Sequence, residues 1–274
     1  MSSIVSVDKT KFGGQQPFSL VAGPCVLEDL DTTLRIAEFL KNLTDELNIG
    51  FVFKASYDKA NRTSVDSYRG PGLHAGLEML LRVKDEFDVP VVSDIHDVSQ
   101  VEAAAQVLDI LQIPAFLCRQ TDLLVAAGNS GKVVNVKKGQ FQAPWDMRHV
   151  VAKVTSTGNE RVLLTERGST FGYNNLVVDM RSLVIMRELN YPVIFDATHA
   201  VQLPGSGDGA SAGQREYVAS LSRAGVATGI DGLFLEVHQD PECARCDGPN
   251  SLYLRDLKGV LQPLLAIDAV VKGL

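Results

Sequence analysis

In the stretch FKASYDKANRTS, residues 53–64, Lys54, Lys59 and Arg62 fall within nine residues, interleaved with hydroxyls and an asparagine. Such a set suits an anion rich in oxygens, since arginine grips two oxygens at once, lysine acts as a point charge and hydroxyls complete the shell. Other reactive side chains recur down the chain, each just after a short apolar run. In order they are Cys25, then Asp94 and His96, Arg119, Lys137 and Lys138, Glu166 and Arg167, Asp196 and His199, and Glu236 and His238, with Asp247 beyond. If these positions converge, Lys54, Lys59, Arg62, Arg119, Lys137, Lys138 and Arg167 outnumber the neighbouring acids, and a desolvated cation without a counterion is costly. The expected ligands are two phosphates, or a phosphate and a carboxylate. The plainer alternative is a set of solvated rim salt bridges.

The elements that must carry these residues are eight β-rich runs: FSLVAGP (18–24), FVFKAS (51–56), PVVSDI (90–95), ILQIPA (110–115), VVNVKK (133–138), VLLTER (162–167), PVIFDAT (192–198) and GLFLEVH (232–238). Most are apolar on consecutive residues, the pattern of parallel strands buried on both faces. Helical spacing fills the gaps, as in LDTTLRIAEFLKNLTDEL (30–47), where Leu30, Leu34, Ala37 and Leu43 alternate with charges. Eight strand-helix units predict an α/β fold, a closed (β/α)8 TIM barrel, with a doubly wound open sheet as the alternative. A barrel enzyme keeps its chemistry at the C-terminal ends of the strands, which is where the polar residues crowd. Residues before Phe18 read as a short N-terminal extension, a β-hairpin around Gly13 and Gly14 that caps the barrel bottom. At 274 residues the chain is expected to be one domain, 1–274.

Composition narrows the function classes. A formal net charge of −7 argues against nucleic acid and acidic membranes as partners, so any anion site must be local. The N-terminal MSSIVSVDKT lacks a signal-peptide pattern, and Cys25, Cys118, Cys243 and Cys246 are too scattered for a disulfide framework, so a cytoplasmic location with reduced thiols is expected. CARC (243–246) has C-x-x-C spacing without a second pair. GSGDGASAG (205–213) lacks nucleotide-loop spacing and reads as a lid over the site. Cys25, His199, Glu236 and Asp247 follow the first, seventh and eighth strands, neighbours in a closed barrel. A thiol, an imidazole and two carboxylates form a donor set for Zn2+, Fe2+, Mn2+ or a similar divalent ion.

The segments AGPCVLE, FKASYDKANRTS, RGPG, PAFLCRQTDL, NVKKGQF, ERGSTFGYNNLVVDM, FDATHAVQ and EVHQDPECARCDGPN together resemble the 3-deoxy-D-manno-octulosonate 8-phosphate synthases, over nearly the whole chain. The resemblance implies condensation of phosphoenolpyruvate with D-arabinose 5-phosphate, a step toward bacterial lipopolysaccharide. It implies that Lys54, Lys59, Lys137 and Arg167 bind phosphoenolpyruvate with Ser56 and Gln140 nearby, and that Asn61, Arg62 and Thr63 hold the pentose phosphate. Arg119 matches a residue that serves phosphate across a subunit contact, which implies a homo-oligomer, expected to be a tetramer. Cysteine after the first GP resembles the metal-dependent members, with Cys25, His199, Glu236 and Asp247 as ligands. CDGP (246–249) looks more like the metal-independent ones. Catalysis is expected from Cys25, His199, Asp247 and Lys137.

Three other readings stay open. The related 3-deoxy-D-arabino-heptulosonate 7-phosphate synthases take erythrose 4-phosphate, but they resemble KPRT where this chain has KANR (59–62). A Schiff-base aldolase would use Lys54 or Lys137. A sugar-phosphate-binding barrel without catalysis would bind both ligands and turn neither over.

Overall fold

The computed structural model describes residues 2–206 and 212–274; the middle of the stretch read as a lid, 207–211, lies outside the described residues. A hairpin of β1 (Val5–Val7) and β2 (Thr10–Phe12) precedes the barrel strands β3 (Ser19–Gly23), β4 (Phe51–Lys54), β5 (Val91–Asp94), β6 (Ile110–Ile113), β7 (Val133–Lys137) and β8 (Val162–Glu166). A short antiparallel pair follows, β9 (Ser169–Thr170) with β10 (Leu176–Val177), and then barrel strand β11 (Val193–Asp196). A second pair, β12 (Gln202–Leu203) with β13 (Ala212–Gly213), precedes the last barrel strand β14 (Gly232–His238), beside which lies β15 (Leu252–Tyr253). Strands β3 to β8 pair in parallel in sequence order, β8 pairs with β11, and β14 closes the ring by pairing with both β11 and β3. The eight expected strands are the eight that form the barrel.

Helices α1 (Leu30–Leu47), α2 (Leu73–Phe87), α3 (Val101–Val107), α4 (Thr121–Asn129), α5 (Met147–Thr155), α6 (Arg181–Arg187), α7 (Val218–Ala227) and α8 (Leu257–Lys272) lie between and after the strands. The Asp29 side chain caps α1 by accepting from the Thr32 N–H, and Asn48 ends it in the left-handed conformation. Among the described residues no helix is long and apolar enough to cross a membrane.

Alternation along each strand sorts side chains onto two faces. One face, including Leu20, Phe53, Val91, Leu111, Val134, Leu164, Phe195 and Leu235, packs in the large core beneath the helices. The other contributes one residue per strand to a second cluster inside the barrel: Val21, Val52, Val92, Ile110, Val133, Leu163, Ile194 and Phe234. Val5, Val7 and Phe12 of the hairpin belong to this cluster, so the hairpin plugs the bottom of the barrel. Its turn falls at Asp8 and Lys9, with Asp8 at φ 50°, and not at Gly13 and Gly14. Gly13 serves close approach instead, since a Cβ there would lie 2.1 Å from the Ser3 carbonyl oxygen.

Candidate active site

Two residues beyond each apolar inward position the chain becomes polar. In the same phase stand Lys54, Asp94, Gln112, Asn135, Thr165, Asp196 and Glu236, and β3 supplies Gly23, where a Cβ would lie 2.0 Å from the Lys54 carbonyl oxygen. A continuous set of hydrogen bonds crosses four strands in this layer. Thr165 Oγ1 donates to Asn135 Oδ1 at 2.7 Å, Asn135 Nδ2 to Gln112 Oε1 at 2.9 Å, and Gln112 Nε2 to Asp94 Oδ1 at 2.7 Å. Ser56 Oγ donates to the other Asp94 oxygen. Every donor points toward Asp94, so the relay fixes both amide orientations and presents the carboxylate to the cleft.

Asn135→Leu cuts this relay and leaves Gln112 Oε1 and the Thr165 hydroxyl buried without partners. Each orphan costs about 1–3 kcal/mol. Urea unfolding is therefore expected to show a loss of about 2–4 kcal/mol, and a change below about 0.5 kcal/mol, the size of an ordinary surface substitution, would show that the relay carries no strain of this kind.

The strand ends and loops above this layer form one cleft. Its lining includes Lys59, Asn61, Arg62, Thr63, Lys137, Gln140, Arg167, His199 and Asp247 among the residues expected from the sequence, together with Asp94, His96, Phe116, Gln202 and Cys246. Lys54, Cys25 and Glu236 are buried just beneath it, and Ser56 reaches it through Asp94. Arg119 is exposed and does not line the cleft. Lys138 leaves the set as well. It follows Lys137 by one residue, points to the opposite face, and donates to the Gly139 and Gln142 carbonyls and to Ser169 Oγ. Glu166 also faces outward, accepting from the Arg167 and Gly168 N–H groups and from the Ser182 hydroxyl.

The remaining charges are nearly balanced. Lys54, Lys59, Arg62, Lys137 and Arg167 stand against Asp94, Asp196, Glu236 and Asp247, five cations to four carboxylates. Glu236 Oε1 takes Lys54 Nζ at 3.0 Å and Lys59 Nζ at 3.7 Å, and Lys137 Nζ lies 2.6 Å from Asp196 Oδ2 and 3.9 Å from the Phe234 ring centroid. The large cation excess expected from the sequence is thus smaller than expected, because acids from strands distant in sequence meet the lysines across the closed barrel. Burial lowers the affinity of Lys137 for its proton, reinforced by Lys54 and opposed by Asp196. Burial works against ionisation of Asp94, yet Lys54, Lys59 and Lys137 overcome it and hold the carboxyl well below the usual range.

The depressed Asp94 carboxyl stabilises the fold above its unfolded-state value near pH 4, and that contribution is lost as pH falls from about 4 toward the folded-state value. Each proton taken up adds about 1.36 kcal/mol per pH unit to the slope. Asp94→Asn is therefore expected to flatten the acid limb of unfolding free energy against pH. An unchanged slope would mean that Asp94 does not titrate between the two states.

A second constellation gathers at the β3, β11 and β14 ends. Asp196 accepts from the His199 N–H at 2.9 Å and lies 2.7 Å from His199 Nδ1, which turns Nε2 inward to 3.5 Å from Glu236 Oε1 and 3.7 Å from Asp247 Oδ2. Cys25 Sγ is 3.6 Å from the same Asp247 oxygen. Asp247 takes a left-handed φ of 48°, tolerated by aspartate, and its carbonyl accepts from Asn250 and Ser251 to close the loop. Glu236 Oε2 is buried with no partner among the described residues. An orphaned carboxylate oxygen beside an oriented imidazole, a thiol and a second carboxylate fits a divalent cation. His199, Glu236 and Asp247 meet as one donor group and Cys25, Cys246 and Asp247 as another, sharing Asp247.

Sequence reading missed Gln112, Asn135, Thr165 and Cys246. The first three carried a usable signal, since each is the first polar residue after the apolar start of its strand, spaced by two from Pro114, Lys137 and Arg167.

The family model described as the DAHP synthetase I family matches residues 2–270. A 2-dehydro-3-deoxyphosphooctonate aldolase of Syntrophotalea carbinolica is 66% identical over 273 residues, covering 100% of this chain and 99% of that protein. Proteins of the same name from Geobacter sulfurreducens and Geotalea daltonii are 62% and 63% identical, over 99% and 98% of this chain and 100% and 98% of their own lengths. With a match over almost all its residues and identity far above what chance allows, the chain belongs to the DAHP synthetase I family.

Proposed function

We propose that this chain is a 3-deoxy-D-manno-octulosonate 8-phosphate synthase, condensing phosphoenolpyruvate with D-arabinose 5-phosphate and water and releasing phosphate, for lipopolysaccharide biosynthesis in the cytoplasm. The carrying observation is one cleft that gathers Lys59, Lys137, Gln140 and Arg167 together with Asn61, Arg62 and Thr63. The similar proteins are named for the same eight-carbon keto acid phosphate. None of the three is named for the seven-carbon product of the erythrose 4-phosphate reaction.

In this reading C3 of phosphoenolpyruvate bonds to the aldehyde carbon, a water oxygen adds at C2, and the C2–O bond to phosphate breaks. Water gives up both of its protons: one ends on the aldehyde oxygen, which becomes a hydroxyl, and the other on the departing phosphate as C2 becomes a ketone. Arg167, held by Gln202 Oε1 at 2.9 Å, and Lys137 grip the phosphoenolpyruvate anion, while Gln140 Oε1, buried and without a partner among the described residues, has capacity for a donor. Arg62 and Thr63 hold the pentose phosphate, and Asn61 the sugar hydroxyls. The protein thus holds two mutually repelling anions in register. Asp247, half-buried and facing the cleft, is placed to hold the proton in transit.

A divalent ion at Cys25, His199, Glu236 and Asp247 belongs to this reading; when bound it would supply Lewis-acid polarisation of a substrate oxygen. Charge supports it, because a nearly neutral cleft does not offset two phosphates and a carboxylate without added positive charge. Exposed Phe116, Phe141, Trp145, Phe171 and Tyr173, with Arg119, support a homo-oligomer, a tetramer in this reading.

The test is consumption of phosphoenolpyruvate with each acceptor. Arabinose 5-phosphate is expected to exceed erythrose 4-phosphate in kcat/KM by about 10²-fold or more, with one phosphate released per condensation. Equal or reversed rates would overturn the acceptor, and binding without turnover would overturn the enzyme. A Schiff base at Lys137 is a second reading, favoured by the burial that lowers its proton affinity. Borohydride trapping of a substrate adduct would establish it.

A further inference from the structure

Cys246 has no role in the reading above, and it is nevertheless placed beside the donors. Its thiol is buried, 4% exposed, and packs with Cys25 and Val26 under Tyr68. The donor atoms of Cys25, Cys246 and Asp247 lie within 4.8 Å of one another. Arg62 Nη1 contacts the Cys246 sulfur from the cleft side. In extended chain, neighbouring side chains point apart. The left-handed backbone at Asp247 lets two consecutive residues address one centre.

The spacing fits a shared ion. Bonds of about 2.3 Å to sulfur and about 2.0–2.2 Å to oxygen at tetrahedral angles separate a sulfur from an oxygen by about 3.6 Å and two sulfurs by about 3.8 Å. Cys25 Sγ and Asp247 Oδ2 stand at 3.6 Å, and the two sulfurs lie within 4.8 Å of each other. We propose that Cys246 is a second sulfur ligand of the divalent centre, so that this site selects thiophilic ions such as Zn2+ and Cd2+ over Mg2+ and Ca2+. The inference rests on the metal reading of Cys25, His199, Glu236 and Asp247. Its chemical consequence is direct, since two thiolates favour soft ions while Mg2+ and Ca2+ require oxygen ligands. The CDGP segment then supplies a ligand in a chain that also has cysteine at position 25.

The test uses the full chain, stripped of metal, with the exposed Cys243 changed by Cys243→Ser, and titrates Cd2+ while reading sulfur-to-cadmium charge-transfer absorption. The expected parent binds one ion per chain, with excess Mg2+ unable to displace it. Cys246→Ser and Cys246→Ala are each expected to lower the absorption to roughly half, as is Cys25→Ser, because one of two sulfur ligands is lost. Thermal unfolding of each variant verifies that it is folded, and two replacements guard against one that fails. Full absorption in both Cys246 variants with loss in Cys25→Ser would overturn the second ligand and leave the metal reading intact. No bound cadmium in the parent would overturn both.

Discussion

Lys137→Met is expected to lower kcat/KM for the condensation about 10³-fold, the scale seen when a preorganised group that stabilises developing charge is removed from a site shielded from water. Its ammonium lies 2.6 Å from Asp196 and over the Phe234 ring, with its side chain only 7% exposed. The cost has two parts. Substrate loses a cation that water cannot replace, and Asp196 loses one partner while keeping His199. Breaking a buried ion pair costs about 3–5 kcal/mol when the orphan has no other partner, so the retained imidazole should hold the stability loss below that range. Thermal unfolding and steady-state kinetics on the same preparation separate the two. A folded variant within about tenfold of the parent would remove Lys137 from the chemistry, since a group that stabilises developing charge is worth more than that.

Metal removal carries the second large effect. Treatment with a strong chelator is expected to lower turnover by about 10²–10⁴-fold, as a Lewis acid worth several kcal/mol implies, with recovery on adding Zn2+, Fe2+ or Mn2+. Cys25→Asn should bind the ion more weakly and resist recovery. The measurement pairs metal content with the rate of phosphoenolpyruvate loss. Turnover that survives complete removal would leave the condensation standing and make Cys25 a buried structural thiol. Cleft charge gives the physical ground for the expected direction, because Glu236 already serves Lys54 and Lys59 and the residues alone present little net positive charge to the anions.

Much of the architecture was legible because parallel strands buried on both faces leave a direct mark in consecutive apolar residues. Strand ends then forecast the rim, and Lys59, Arg62, Lys137, Arg167 and His199 are found there. The hairpin was legible as an element but not in its register, since glycine marks both turns and close backbone approach and the sequence does not say which. Gly13 is the second kind, and Gly14 stands in a turn beyond the hairpin at φ 66°.

From residue order alone came the eight strand-helix units, the rim they build and the chemical types collected on it. Facing and pairing belonged to the tertiary structure. Lys137 and Lys138 are adjacent lysines, and Glu166 and Arg167 adjacent charges, yet only one of each pair enters the barrel, because alternation has a period legible in sequence and a phase set by how the sheet closes. The same closure set Glu236 against Lys54, 182 residues apart, and brought Cys246 to Cys25. Such contacts depend on strand order and shear around a ring, which no local pattern records.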